Sequence, residues 1–205
     1  MKPDEQLPLS YDAAWALVGG LSQPSKMPCY AWGIPASLCN VGSALRSIRG
    51  STCEKCYALK GHYSFGNVQN ALWRRYCALY HPLWVDAMVR LIVGETWFRW
   101  FDSGDLQSFW HLEQIVKIAE RLPDTQFWLP TREQDYVHRL ETCPPNLIIR
   151  VSAAMVDGPP PTGFALTSTV VSQDATCPAK QQDNRCDACR ACWDRTVKNV
   201  SYKLH

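Results

Sequence analysis

The sequence predicts a single domain of the α/β class, either a partial parallel barrel or an open βα sheet. Its central part alternates strand-like and helix-like stretches, whereas most of the ten cysteines lie in the two outer parts. A chain of 205 residues with 46% hydrophobic residues can bury one sizeable core. We expect three zones: a cysteine-rich metal-binding segment over 1–66, a βα core over 67–175, and a cysteine-cluster tail over 176–205.

The core zone contains four strand-like stretches with helical patterns between them. Strands are expected at 96–101 (TWFRWF), 126–129, 147–152 (LIIRVS) and 164–171, and helices at 109–121 and 134–140. Residues 67–94 have the apolar spacing of a helix that Pro82 divides or kinks. Strands separated by helical patterns of roughly 10 to 15 residues are typical of parallel βαβ units, which predicts a parallel sheet.

Charge and hydropathy narrow the class of protein. A formal net charge of +2 neither requires nor excludes nucleic acid, because phosphate-binding surfaces usually show a clear basic excess. The acidic start (MKPDEQLPLS) is unlike a signal peptide, and no apolar run approaches the ~20 residues that span a bilayer. We expect a cytoplasmic protein without a membrane partner. Since disulfides are rare there, the cysteines are expected to bind metal; the alternative is an exported disulfide protein whose signal has been removed.

The strongest motif is CPAKQQDNRCDACRAC near the C-terminus. Cys186, Cys189 and Cys192 recur at every third position, and Cys177 lies nine residues before Cys186. A CxxCxxC run with a distant fourth cysteine is typical of cubane clusters in bacterial-type ferredoxins, whereas structural zinc sites usually use separated pairs. The motif therefore predicts an iron–sulfur cluster, most simply 4Fe-4S, with zinc as the alternative.

A second group of cysteines precedes the core. It consists of Cys29, Cys39, Cys53 and Cys56, with the last two in CEKC. Its looser spacing fits either a second metal site or a contribution of Cys53 and Cys56 to one site shared with the C-terminal cysteines. Cys77, within a helical pattern, and Cys143, beside two prolines, are expected to be packing residues.

Polar residues lie at the ends of three of the predicted strands. Asp102 and Asp105 lie in FDSGD, Arg132 and Glu133 in LPTRE, and Arg150 in IRVSA. Because parallel strands direct their following loops to one edge of the sheet, we expect these side chains to line one pocket facing the cysteine-rich N-terminal segment. Arginine and carboxylate groups there would hold a polar substrate or an anionic cofactor. Ion pairing and helix capping are the structural alternative.

Several blocks in order resemble the phage gene-product-88-like proteins, a cysteine-rich family of bacteriophages and related bacterial elements. The blocks are PSKMPCYAWGIPASLC, CYALKG, DSGD, LPTRE, IRVSA and CxxCRACWDRTVKNVSY, from about residue 25 to the end. The resemblance implies phage origin, a place in the host cytoplasm and metal binding. It implies no particular reaction.

A second resemblance is to radical S-adenosylmethionine enzymes, especially phage-encoded ones whose cluster motif ends in CxxCYA. Cys53, Cys56 and the Tyr-Ala that follows match that ending, and DSGD is similar to a polar motif after the second strand. The usual CxxxCxxC would need a cysteine at position 49, where this chain has Arg49. Cys29 or Cys39 would then have to supply the third ligand.

Two functions follow as hypotheses. The first is an iron–sulfur protein with one or two clusters that acts as a redox or radical-type enzyme, with S-adenosylmethionine as a cofactor in the catalytic version. Its substrate, a small molecule or a macromolecule, is not indicated. The second is a non-enzymatic protein, stabilised by zinc or a cluster, that binds a host protein or nucleic acid; the basic residues after Cys186 favour it modestly.

Overall fold

The computed structural model describes residues 8–204. The extreme start of the chain, on which the expectation of no signal peptide depends, and His205 lie outside these residues. Across 8–204, no helix is both long enough and apolar enough to cross a membrane.

Six parallel strands form one open sheet in which the strand order follows the chain order. They are β1 (Tyr30–Trp32), β2 (Trp97–Trp100), β3 (Gln126–Thr131), β4 (Leu147–Val156), β5 (Thr167–Val171) and β6 (Asn199–Lys203). Every neighbouring pair is parallel, which confirms the predicted α/β class. All six carboxyl ends therefore lie along one edge of the sheet, which we call the carboxyl edge.

Six α-helices accompany the strands within the described residues. They are α1 (Tyr11–Val18), α2 (Asn40–Leu45), α3 (Gly66–Ala78), α4 (Trp84–Ile92), α5 (Phe109–Arg121) and α6 (Gln134–His138). The break predicted at Pro82 is confirmed, because α3 and α4 are separate helices. The start of α5 is set by Ser108, whose hydroxyl accepts a hydrogen bond from the His111 amide at 3.2 Å.

The main core lies between the helices and one face of the sheet. Phe98 and Phe127, on neighbouring strands, pack with their rings 5.8 Å apart. Met88 of α4 and Ile115 of α5 are fully buried in the same cluster. Residues two apart along a strand point to the same face, so this apolar set leaves the alternate residues on the opposite face.

That opposite face, which we call the cysteine face, is covered by residues 176–204 rather than by α-helices. We call these residues the C-terminal segment. Trp97 and Trp128 lie on it and pack against Trp193, with ring centroids 5.6 and 5.3 Å away. The Trp193 indole N–H also donates to the Phe98 carbonyl at 3.0 Å. The C-terminal segment is thus packed on the sheet and supplies its sixth strand.

Candidate metal centres and the carboxyl edge

Five cysteines gather on the cysteine face; we call them the face group. They are Cys29, Cys177, Cys186, Cys189 and Cys192. Cys29 and Cys192 are buried in one apolar cluster, and Cys177 packs against it. Cys186 is close enough to Cys29, Cys177 and Cys189 for their charges to interact. Cys29, which the sequence places with the N-terminal cysteines, therefore lies beside the C-terminal ones.

The face group lies in an apolar setting with two arginines, Arg99 and Arg190, close by. Burial raises the pKa of Cys29 and of Cys192 to about 12, which keeps both thiols protonated without a metal. The Arg99 guanidinium opposes this effect from beneath the group. It lies 4.7 Å from the ring centre of Trp128 and donates to Met27 Sδ at 3.0 Å. Bound thiolates would thus meet a positive charge in a poorly hydrated site.

Arg150 anchors the segment that carries the face group. Its side chain is fully buried and donates five hydrogen bonds to backbone carbonyl oxygens, at 2.8 to 3.3 Å. Four of the carbonyls belong to residues 191–197 and one to β5. The guanidinium therefore holds the turn around Cys192 against the sheet.

Three further cysteines, the edge group, lie at the carboxyl edge: Cys39, Cys53 and Cys56. The Cys39 and Cys53 sulfurs both flank Gly42, each 3.6 Å from where a Cβ at that residue would lie. Burial raises the pKa of Cys39 to about 12, and the charges of Asp105, Cys56 and Cys53 act in the same direction. Three thiols and a carboxylate therefore share one small region.

Asp105 joins β2 and β3 at the carboxyl edge. Its Oδ1 accepts hydrogen bonds from the Thr131 hydroxyl at 2.6 Å and the Leu106 amide at 2.8 Å, and its Oδ2 accepts from the Arg132 amide at 2.9 Å. Burial raises the pKa of Asp105, and these hydrogen bonds offset part of the rise. The carboxylate is well placed to fix the two strand ends.

Glu133 extends this network to the edge group. Its Oε1 accepts a hydrogen bond from the Val41 amide at 3.1 Å, in the first turn of α2 directly after Cys39. Burial, followed by the charges of Asp105 and Asp135, raises the pKa of Glu133 to about 6, although the hydrogen bond from Val41 opposes the rise. Glu133 therefore ties the end of β3 to the Cys39 turn.

Asp102, at this edge, has a buried carboxylate oxygen without a hydrogen-bond partner in the described part of the chain. Its Oδ2 accepts a 3.4 Å hydrogen bond from Tyr63, whereas Oδ1 is buried with no partner among residues 8–204. Gly33 lies directly against that oxygen, since a Cβ there would be 2.5 Å from it. The preceding Phe101 has a positive φ of 54°, a strained conformation for a bulky residue. An unpaired buried carboxylate oxygen beside strained backbone is a feature of ligand-binding sites.

The structure brings together four of the five polar residues predicted for the site. Asp102, Asp105, Arg132 and Glu133 lie at the carboxyl edge beside the edge group. The Arg132 guanidinium is engaged there with the Ala153 carbonyl at 2.5 Å. Arg150 does not join them, because it lies within β4 and holds the face group instead.

Three residues beside these sites were not proposed from the sequence. Tyr57 and Tyr63 both donate to the Asp102 carbonyl, at 2.9 and 3.1 Å, and so link the cysteine-rich loop to β2. Arg99 lies between the two cysteine groups and donates weakly to the Tyr57 hydroxyl at 3.4 Å. A lone arginine inside the aromatic strand TWFRWF was a usable signal for a buried polar contact.

The thiols as placed do not form a ready site for a single ion. Among residues 8–204, no group of three or more His, Cys, Asp or Glu side chains is arranged so that it could hold a metal ion. All ten cysteines are free thiols. The predicted metal-binding segment thus remains a hypothesis, and its support is the gathering of donors of one chemical type.

Fold and site together define an open parallel α/β protein with cysteines gathered on one sheet face and at the carboxyl edge. A model of the gene product 88 family matches residues 10–161, about three quarters of the chain, so the chain belongs to that family. This confirms the resemblance to phage gene-product-88-like proteins. No curated protein and no solved structure matches the chain.

Proposed function

We propose that this chain is an iron–sulfur enzyme with two clusters, a catalytic one at the edge group and a structural or redox one at the face group. The observation that supports it most is the position of three thiols beside Asp105 at the carboxyl edge. Function in parallel α/β proteins concentrates at that edge. Three protein thiolates would leave one coordination position for an exogenous ligand.

The donor set fits such clusters. Thiolates are the usual ligands of iron–sulfur clusters, and a cluster is held by thiolates that lie farther apart than the ligands of one ion. In the face group, the apolar surroundings and the Arg99 cation suit a cluster of net negative charge. Free, reduced thiols are typical of a cytoplasm, here that of the host cell.

In the catalytic version, a 4Fe-4S cluster at the edge group would supply one electron to an S-adenosylmethionine cofactor. The chain's own residues would bind and orient the ligands. Asp102 offers its unpaired Oδ1 to an ammonium or hydroxyl donor, and Tyr63 holds the other carboxylate oxygen. Asp105 and Glu133 position the strand ends and the Cys39 turn, so their role is indirect.

The alternative is a non-enzymatic protein that zinc or a cluster stabilises for binding. The hydrogen bonding of the polar residues favours it, because Asp105, Arg132 and Arg150 are already engaged with the chain itself. In this case Asp102 would be a structural residue, and no small ligand would bind at the edge group.

Anaerobic purification with iron, sulfide and zinc analysis tests the proposal. The expected protein is brown and contains iron and sulfide. A Cys39→Ala/Cys53→Ala variant should retain about half of that iron, since only one of two clusters is lost. Cys77→Ala and Cys143→Ala are the matched controls and should retain all of the iron, because both residues are exposed and lie outside the two groups.

Electron paramagnetic resonance of the reduced protein distinguishes the iron–sulfur enzyme from the non-enzymatic binding protein. S-adenosylmethionine should perturb the signal of the edge cluster and leave the signal of the Cys39→Ala/Cys53→Ala variant unchanged. Asp102→Asn should weaken the perturbation, since an amide oxygen is a poorer acceptor for an ammonium group. Colourless protein with stoichiometric zinc would overturn the cluster assignment. A signal that S-adenosylmethionine leaves unchanged would favour the non-enzymatic binding protein.

A further inference from the structure

Residues 46–65, which we call the edge segment, carry two of the edge-group cysteines and cross the carboxyl edge of the sheet. At one end, the Thr52 amide donates to the Ala154 carbonyl of β4 at 2.9 Å. At the other, Tyr57 and Tyr63 donate to the Asp102 carbonyl after β2. The edge segment therefore lies across the carboxyl edge between the ends of β2 and β4.

The edge segment holds the net positive charge of the chain. Four of its twenty residues are arginine or lysine and one is glutamate, which gives +3, whereas the whole chain has +2. The remaining residues therefore carry a net charge of −1. Arg49, Lys55 and Lys60 are all exposed. The single carboxylate, Glu54, accepts a hydrogen bond from the Gly50 amide at 2.8 Å.

The edge segment also carries aromatic rings that face the solvent. Phe65 is 53% exposed and Tyr57 is 45% exposed. His62 and Phe65 form an edge-on ring pair with centroids 5.2 Å apart. Tyr57 is held in place, because it also packs edge-on against Tyr63. Pre-positioned aromatic faces offer stacking platforms at little cost in conformational entropy.

We propose that the edge segment binds single-stranded nucleic acid and delivers it to the carboxyl edge. Cations contact the phosphates, and exposed rings stack on unpaired bases, which is the combination that single-strand binding requires. Because a paired base is already stacked inside its duplex, single strands should bind more tightly than duplexes. As a statement about the substrate class of the edge group, the inference rests on the proposed function. As a statement about binding, it rests only on this surface.

Fluorescence anisotropy with a labelled single strand of about 20 nucleotides tests the inference, using anaerobically purified protein of measured iron content. The dissociation constant should rise steeply between about 50 and 200 mM salt. An Arg49→Gln/Lys60→Gln variant should bind about tenfold more weakly or worse, with a shallower salt dependence. Phe65→Ala should lower the affinity for the single strand about fivefold or more. None of these residues is a candidate metal ligand.

Matched controls come from the other side of the molecule. Lys117 is exposed on α5, and Tyr11 is 43% exposed on α1, near Tyr30 at the start of β1. Lys117→Gln and Tyr11→Ala should change the affinity by less than about twofold. Equal loss in these controls, equal affinity for a duplex, or no binding at low salt would overturn the inference. Iron-free protein that still binds through Arg49 and Lys60 would overturn the proposed function and leave the binding surface standing.

Discussion

The guanidinium of Arg150 acts on the backbone of the C-terminal segment, not on a ligand. All of its nitrogens donate to carbonyl oxygens, and the side chain is fully buried. Removing one partner of a buried charged hydrogen-bond network costs the desolvation energy of every group left behind. Some polar residues, such as Arg150, thus use all their hydrogen-bonding groups to hold the chain together. Others, such as Asp102, keep an acceptor that no group of the described chain uses.

Replacing Arg150 with Met should lower the free energy of unfolding by ~3 to 5 kcal/mol, because five carbonyls lose their donor. Urea denaturation followed by tryptophan fluorescence measures this. Arg195, which is exposed and also donates to backbone carbonyls, is the control, and Arg195→Met should cost only ~1 kcal/mol. Equal costs would contradict the anchoring role of Arg150.

Glu133 should make stability depend on pH in the acidic range. Its pKa rises from 4.5 to about 6 on folding, so the folded state binds more protons in that window. The contribution of Glu133 to stability is therefore greatest below pH 4.5 and is lost as the pH rises through about 6, by ~1 kcal/mol after solvent screening. Glu133→Gln keeps an acceptor for the Val41 amide and should flatten this part of the pH profile in thermal melts. A profile unchanged by the substitution would assign the pH dependence to other groups.

At the scale of elements, the sequence predicts the long periodic stretches well. The expected helix at 109–121 coincides with α5, and the break at Pro82 separates α3 from α4. β1 and β6 are not predicted, because β1 has three residues and β6 follows a polar, cysteine-rich stretch. Pairing with a neighbouring strand, which is non-local, determines such strands more than their own composition does.

In the candidate site, too, local sequence patterns predict some features, whereas contacts between distant parts of the chain determine others. The parallel pattern predicts that Asp105, Arg132 and Glu133 meet, since each follows a strand. It treats IRVSA as a strand end although Arg150 lies inside the expected strand 147–152, and it does not predict that β4 continues to Val156. Likewise, the position of Cys29 depends on which sheet face the C-terminal segment covers, which spacing along the chain does not specify.

Under the two-cluster proposal, Cys29→Ala should alter the face cluster and spare the edge cluster. Cys29 is buried beside Cys192, and a thiolate at Cys186 raises its pKa further. The expected result is a changed spectrum or lower iron content that adds to the effect of Cys39→Ala/Cys53→Ala. If Cys29→Ala instead gives the same spectrum as the Cys39 variant, and the two changes do not add, Cys29 belongs to the edge group.

The whole molecule depends on its last thirty residues to cover one face of its sheet. Trp97 and Trp128 would face solvent without Trp193, and β5 would lose its pairing with β6. The family match ends at residue 161 and so excludes this covering segment. In this chain, the matched part alone leaves the cysteine face open.

A chain that ends at residue 176 should not unfold cooperatively and should aggregate, because a large apolar patch and a free strand edge become exposed together. Circular dichroism melts and size-exclusion chromatography measure this. Trp193→Ala in the full chain is the control. It should keep the oligomeric state of the unaltered protein, and its free energy of unfolding should fall by ~3 to 5 kcal/mol. A monomeric, cooperatively folding truncated chain would mean that the segment is dispensable for the fold.

Strand order that equals chain order has a consequence for synthesis. Each strand can pair with its predecessor as it leaves the ribosome, so the sheet can grow from β1 towards β5 during translation. The edge-group cysteines emerge early in this sequence, whereas four of the five face-group cysteines are among the last residues made. The two centres would therefore mature at different times. Until the C-terminal segment is made, Trp97 and Trp128 stay exposed on the open sheet face, and the nascent chain is at risk of aggregation.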